Sequence, residues 1–526
     1  MTAPLTLPRP LKRRAALFAL CWLAATALML LISRDSYLYD IWWRGDTNWF
    51  MTCGRAWMEG LTPYADFADS KGPLLWLIYG IGYLLSPHDF TGVMWLSTIS
   101  YAVVFYYAYS TMRLVGASRW GAACGLAVTA LLLLNGYVHD EVRAEDFCQA
   151  FIAPIIYRFV KHDGEHDTSA HSLRVTAATL GFALAATLLI KYSVTLMLVA
   201  FVPHVVWVWP RRWRHRMGGI WLSLVAGALA MLLPWAVLAW WQGWLGDFVR
   251  EYFINTFTTL GNLGESKLTL TAILGEATKK SLLLYMAVIA ATVVFYSLNR
   301  TRRGWGLLLI MAWMVAVVMI NGKSHFYYSS LALLATPGIA RVMARLDGTR
   351  WGKAVMTIIA LAALLGLAAT KRSANGSLFT HDLEKRDRYY YYAGLMCQVE
   401  HPRVLFWALH DKGQGMLSEA LPACRYWALQ EGATDEMRRN QEQTARMGTD
   451  FVFIDHEDSI HARQLDEWGY TRYDYWPRRD TTRYLSPDGH VVLYSRHPLR
   501  DTLIKVTNED VLFKRDLLPR IHNTHN

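Results

Sequence analysis

A succession of apolar runs divided by short basic clusters limits this chain more than any other feature. The runs fall near residues 15 to 33, 73 to 86, 92 to 114, 120 to 137, 148 to 160, 175 to 190, 192 to 209, 217 to 241, 281 to 298, 305 to 320, 326 to 344 and 353 to 370. Most approach the roughly 20 residues that a helix needs to cross hydrocarbon, so the expected fold class is a polytopic α-helical membrane protein. With 53% apolar and 18% charged residues and 23 Trp, the composition suits that class rather than a soluble enzyme. The net charge of +11 sits in clusters between the runs, where it sets orientation, and nucleic acid is therefore excluded as a partner. Lys12, Arg13 and Arg14 precede a first apolar run of about 18 residues with no small-residue cleavage site, which reads as a retained helix rather than a signal peptide.

The run PLLWLIYGIGYLLS at 73 to 86 is too short to span and carries Pro73, Gly80 and Gly82 as breakers. Basic residues decide its place. If it lies along the interface, Arg113 and Arg119, then Arg158, Lys161 and Arg174, then Arg211 to Arg216, then Arg300 to Arg303 and Arg341 to Lys353 all share the cytoplasmic side. This arrangement predicts about 11 transmembrane helices, a juxtamembrane helix at 73 to 86, a cytoplasmic N-terminus and an external C-terminus. The stretch 34 to 91, HDEVRAED at 139 to 146, the loop 242 to 280, the turn 321 to 328 and everything beyond 371 are then external. Asp140 and Glu141, near the tip of their loop, are expected to face solvent.

The organisation expected is a transmembrane domain over 1–370 and a C-terminal α/β domain over 371–526. In the latter, 404 to 410, 451 to 455 and 490 to 496 read as strands and 434 to 447 as a helix. Six Cys are scattered without CxxC spacing, and Cys397 with Cys424 is the one pair for which a disulfide is open.

RGDTNWFMTCGRAWMEGLTPYADFADSKGPL, after the first run, resembles the first external loop of GT-C glycosyltransferases, in particular bacterial members similar to protein O-mannosyltransferases and lipid A aminoarabinose transferases. The matching features are Asp46, the helix-forming stretch 47 to 59, and Asp69-Ser-Lys71-Gly-Pro-Leu opening a juxtamembrane helix. RAEDFCQAF at 143 to 151, GWLGDFVREYFINTF at 243 to 257, GKSHFYYSSLALLATP at 322 to 337 and the VLFW and CRYW segments of the C-terminal domain extend the resemblance over nearly the whole chain. It implies a GT-C fold in the bacterial cytoplasmic (inner) membrane with a periplasmic C-terminal domain. It also implies a polyprenyl-phosphate sugar as donor partner and a cell-envelope acceptor.

Under that resemblance Asp46 is the expected catalytic base, taking the proton of the acceptor hydroxyl as an oxocarbenium-like transition state forms. By its residues alone, GDTN before an apolar-periodic stretch is also a good helix start with Asp46 as N-cap. Glu145 and Asp146 are expected to orient the acceptor or to hold a divalent cation, Mg2+ or Mn2+, with a solvated helix start as the alternative. Lys71, Lys191, Lys323, His325 and Arg143 are the candidates for the donor phosphate. Lys191 alternatively snorkels to the interface, and Arg143 alternatively neutralises Glu145. Tyr327, Tyr328 and Asp69 are expected along a sugar or lipid groove, whereas Trp42, Trp43, Trp49, Tyr252 and Phe253 read as interfacial aromatics. The histidines of 162 to 171 are irregularly spaced and are not expected to bind metal. A lipid-linked glycan transporter is the competing class, but ionisable groups concentrated at one face and the lack of an internal repeat speak against it. A polymerase or ligase using lipid diphosphate-linked glycans is a third reading.

Overall fold

The computed structural model describes residues 9–39, 46–136, 138–139, 141–163, 169–208, 217–256, 258, 282–298, 305–321, 328–379, 391–410, 413–429, 433–474 and 491–500. Within them the apolar runs are helices: α1 (Arg9–Ile32), α2 (Asp46–Met58), α3 (Pro73–Leu85), α4 (Thr91–Val115), α5 (Arg119–Leu134), α6 (Ala144–Asp163), α7 (Ala170–Leu188), α8 (Tyr192–Val199) and α9 (Met217–Trp241). Further on come α10 (Leu245–Phe248), continued as a π-turn over Val249–Asn255, then α11 (Leu282–Leu298), α12 (Trp305–Asn321), α13 (Ser329–Ala332), α14 (Thr336–Asp347) and α15 (Gly352–Phe379).

Three of these contain stretches long and apolar enough to cross a membrane: Leu11–Ile32, Met217–Trp241 and Gly352–Lys371, of 22, 25 and 20 residues. At about 1.5 Å per residue each reaches the thickness of the hydrocarbon layer. Leu222, Leu233, Val237 and Trp240 stand exposed along α9, as a lipid-facing helix requires. Pro73–Leu85, Arg119–Leu134, Leu284–Leu298 and Trp305–Met319 are shorter apolar helices.

Two departures from the expected helices have local causes. The run 192 to 209 is not one helix, because α8 stops at Val199 and a separate π-turn covers His204–Val208. Pro203 lacks the N–H that would reach the Val199 carbonyl, so the α-helical ladder ends there. In α3, Gly80 and Gly82 are not breakers but close-approach positions. A Cβ on Gly54 of α2 would lie 2.5 Å from the Gly80 nitrogen, so only paired glycines let the two backbones meet.

The chain separates into two compact units: residues 1–38, 94–237 and 265–376, and residues 39–93, 238–264 and 377–526. The second unit therefore joins the first polar loop and part of the loop 242 to 280 to the C-terminal segment, a grouping that a linear cut at 370 does not make. Its sheet contains β1 (Arg403–Phe406), β2 (Leu421–Pro422), β3 (Phe451–Asp455), β4 (Thr471–Tyr473) and β5 (Val491–Ser495), in the order β2-β1-β3-β5-β4. β1 runs parallel to β2 and β3, whereas β5 is antiparallel to β3 and β4. Helices α16 (Gln414–Leu417), α17 (Asp435–Met447) and α18 (Ser459–Glu467) complete it. Leu405, Trp407, Val452, Ile454, Val492 and Tyr494 form one core face with Ala445 of α17 and Leu465 of α18. The alternate residues Phe406 and Phe453 stack at 5.1 Å, so the central strands are buried on both faces and read as continuous apolar runs.

Cys397 and Cys424 are both free thiols. Trp49 and Tyr252, expected at a lipid interface, are instead buried in the second unit, Trp49 against Trp427 at 5.0 Å and Tyr252 stacked on Phe248 at 5.4 Å. Trp42 and Trp43 lie outside the described residues.

Candidate active site

In the second unit, Asp46 opens α2 and sits in its first turn, where the positive end of the helix dipole favours a carboxylate. The helix it begins is anchored at its far end. Arg55, 1% exposed, donates Nη1 to the Met416 carbonyl at 3.2 Å and Nη2 to that of Gly415 at 3.3 Å, with a further bond to the Ala420 carbonyl. A guanidinium carries five N–H donors in a rigid fork, enough to serve three carbonyls from a single buried position.

After α2 the chain folds back through Tyr64, whose φ of 62° is in the left-handed region. A bulky residue holds that conformation only when its surroundings fix it. Here the ring is fully buried, 4.4 Å from Trp76 and 5.2 Å from Phe248, and its hydroxyl donates to the Lys71 carbonyl at 2.8 Å. Burial raises the Tyr64 phenol well above its ordinary pKa, so it stays a donor. The resulting turn presents Asp69 and Lys71. Asp69 Oδ1 accepts the Ser70 N–H at 2.5 Å and lies 3.8 Å from Lys71 Nζ, which stands 5.5 Å over the Phe50 ring.

In the first unit, HDEVRAED supplies a buried network. Glu141 is 1% exposed, contrary to a solvent-facing loop tip, because it is the partner of Arg143 at 2.8 Å. Arg143 thus neutralises Glu141 rather than Glu145. Glu145 is paired with Lys191, the residue just before α8, and both are buried. Asp146 uses both oxygens: Oδ1 accepts from the Tyr101 hydroxyl at 2.5 Å, and Oδ2 from the Arg143 N–H at 2.8 Å with His139 Nε2 at 3.3 Å. Lys371, at the end of the apolar stretch of α15, contacts the His139 carbonyl and its Nδ1, the latter at 3.2 Å. An ammonium only donates, so His139 accepts at Nδ1.

Of the carboxylates singled out from sequence, Asp69, Glu145 and Asp146 are buried, and Asp46 keeps partial exposure. Tyr328 is only 2% exposed and lies beneath the surface rather than along an open groove. Lys323, His325, Tyr327 and Asp140 lie outside the described residues. No motif in the sequence marks His139, Lys371, Tyr101, Arg55 or Arg425 as functional. The density of acidic residues in HDEVRAED could have called for a second buried cation, but Lys371 reads alone as an interfacial anchor.

Lys191 pairs with Oε1 of Glu145 and leaves its buried Oε2 without a hydrogen-bond partner, whereas Asp146 has both oxygens hydrogen-bonded. Among the described residues no group of three or more His, Cys, Asp or Glu side chains is placed to hold a metal ion. His162 instead contacts the Thr176 hydroxyl at 2.8 Å.

No protein-family model matches the sequence, and no curated protein matches it. Solved structures do. The crystal structure of ArnT from Cupriavidus metallidurans bound to undecaprenyl phosphate aligns with a TM-score of 0.57 at 14% identity, covering 94% of this chain and 99% of that one. The apo structure of the same protein aligns with a TM-score of 0.58 at 13% identity, covering 94% and 100%. Over 94% of its length, this chain has the fold of those ArnT structures.

Proposed function

We propose that the chain is an integral-membrane glycosyltransferase of GT-C type that moves a sugar from a polyprenyl-phosphate donor to a cell-envelope acceptor with inversion at the anomeric carbon. The observation that carries this is the near full-length likeness to a protein crystallised with undecaprenyl phosphate bound. In this proposal the chain has about 11 spans in the bacterial cytoplasmic membrane, and the loop bearing Asp46 and the C-terminal α/β segment are external. A lipid-linked donor carries its own leaving group to a face of the membrane without nucleotides.

Asp46 acts as general base. The acceptor oxygen bonds to the anomeric carbon as the bond to the phosphate oxygen breaks, the acceptor proton passes to Asp46, and polyprenyl phosphate departs with the bonding pair. Partial exposure supports Asp46 in this role over the other carboxylates, since a base must reach the hydroxyl it deprotonates. Lys71 stabilises the departing phosphate; Lys323 and His325, outside the described residues, are candidates for that role from the sequence alone. Lys191 and Arg143 would reach a phosphate only by leaving Glu145 and Glu141, so their role here is to hold α6 and α8 in place.

The test is conversion of radiolabelled polyprenyl-phosphate sugar by the purified protein, supplied with an envelope glycolipid extract. Release of polyprenyl phosphate with label in the extract supports the proposal. Saturable movement of intact donor across proteoliposomes without cleavage would replace it with the transporter.

A further inference from the structure

A cleft of about 620 Å3 in the second unit takes no part in the chemistry above. Helix α17 lines it with Glu436, Arg439, Asn440 and Gln443, whose spacing puts them on one helix face, away from the buried Gln441 and Ala445. The rest of the lining comes from Leu61, Ala65 and Asp66, from Arg403, and from residues 422–426.

These pieces are held together independently of any ligand. Gln441 donates to the Phe406 and Tyr426 carbonyls at 3.0 and 2.7 Å, fixing α17 to the chain at Tyr426. The Ala68 N–H donates to the Arg425 carbonyl at 2.8 Å, and Arg425 Nε returns a bond to Ala65 at 3.1 Å. Arg425 places its remaining nitrogens on Glu251 and Asp247, at 3.2 and 3.0 Å. Those two carboxylates raise the guanidinium pKa further, so Arg425 is a committed wall and not a free cation.

Two other guanidiniums are not committed. Arg439 is exposed and makes no hydrogen bond or ion pair among the described residues. Arg403 gives Nη1 to the Pro422 carbonyl at 3.1 Å and leaves Nε and Nη2 available. Of the lining carboxylates, Glu436 is paired with Arg250 at 2.7 Å and Asp66 accepts the Thr62 N–H at 2.7 Å. The cleft thus combines a guanidinium fork, which matches the oxygens of a phosphate or carboxylate, with amide groups and a carboxylate that match hydroxyls. A polyanion would meet Asp66 and Glu436, and an uncharged sugar would leave the guanidiniums unused.

We infer that this cleft binds a sugar bearing a single anionic group, as the recognition element of the acceptor glycan. Only the word acceptor rests on the glycosyltransferase proposal; the binding chemistry does not. The full-length protein in detergent is titrated with glucose 1-phosphate and with glucuronate, against glucose and inorganic phosphate, in wild type, Arg439→Ala and Arg438→Ala. Arg438 is exposed on the same helix but does not line the cleft, which makes it the control. Expected is binding of at least one sugar anion, weakened about tenfold or more in Arg439→Ala and unchanged in Arg438→Ala, with glucose and phosphate each at least about tenfold weaker. No binding of either sugar anion by wild type, binding indifferent to Arg439, or phosphate binding as tightly as the sugar anion would each overturn it. Arg439-dependent binding by a protein that transfers no sugar supports the cleft and removes the enzyme proposal. Transfer with an unchanged acceptor KM in Arg439→Ala removes the cleft and spares the enzyme.

Discussion

Replacing Lys191 by Met would leave Glu145 as a buried carboxylate without its cation. Both side chains are at most 5% exposed, so solvent cannot substitute for the lost partner. Breaking a buried pair from one side costs about 3–5 kcal/mol, because the surviving charge has already lost its hydration. At ~2 °C per kcal/mol, expected for a unit of this size, the apparent unfolding midpoint should fall by about 6–10 °C. Glu145→Gln in the same chain removes the stranded charge and should restore most of that loss, giving a coupling of about 2–3 kcal/mol. The assay is intrinsic tryptophan fluorescence of the detergent-solubilised protein at one fixed scan rate, since unfolding of a membrane protein is seldom reversible. A midpoint within ~2 °C of wild type for Lys191→Met, or strict additivity in the double variant, would refute the pairing. Recovery of stability without recovery of transfer would show that Lys191 also serves the donor.

Gly54→Ala should destabilise the second unit by about 1–3 kcal/mol, since the new methyl would meet backbone atoms of Tyr79 and Gly80 at 2.7 and 2.5 Å; an unchanged midpoint in the same scan would contradict the close approach. Burial, joined at Tyr426 by the nearby Glu251 carboxylate, raises the phenol pKa values of Tyr64 and Tyr426 above their ordinary value. The folded state therefore keeps protons that the unfolded chain releases. Stability from both phenols is complete below about pH 10 and falls above it by up to ~1.4 kcal/mol per pH unit each, so a denaturant midpoint flat from about pH 9 to 11 would be contrary. Burial pushes the Cys397 thiol up to about 12 and Cys424 to about 11. Native protein at about pH 8 should take up iodoacetamide far more slowly at buried Cys397 than at Cys424, which is half-buried and lines the cleft, and denatured protein should take it up at both without a reductant; rapid native labelling of Cys397, or a need for reductant, would be contrary. Chelation with EDTA should leave transfer unchanged, whereas a loss restored by Mn2+ would show that Glu145 or Asp146 exchanges its present partners for a cation.

What could be read from the sequence follows from which interactions are local. Strands β1, β3 and β5 and helix α17 were legible because short apolar runs and a Thr434 cap with acidic Asp435 and Glu436 declare themselves within a few residues. Strands β2 and β4 were not, being two and three residues long, with no apolar period to display. Gly80 and Gly82 were seen as breakers because a lone sequence cannot show what approaches them, and Gly54, 26 residues earlier, explains the first. The acidic loop at 139 to 146 was legible as a site, but its partners come from positions remote in sequence: Tyr101, Lys191 and Lys371. Distance along the chain, not chemistry, concealed them. Pro203 did signal the break after α8, but the apolar character of the whole run outweighed it.

The central claim is that Asp46 deprotonates the acceptor. Asp46→Asn and Asp46→Glu should be compared with wild type for sugar transfer and for binding of undecaprenyl phosphate by the purified protein. Loss of a general base predicts a fall in kcat of about 10²- to 10⁴-fold in Asp46→Asn, partial recovery in Asp46→Glu, and lipid binding within about twofold of wild type in both. Transfer by Asp46→Asn at the wild-type rate would contradict the claim and return Asp46 to the start of α2 as a helix-terminal carboxylate alone.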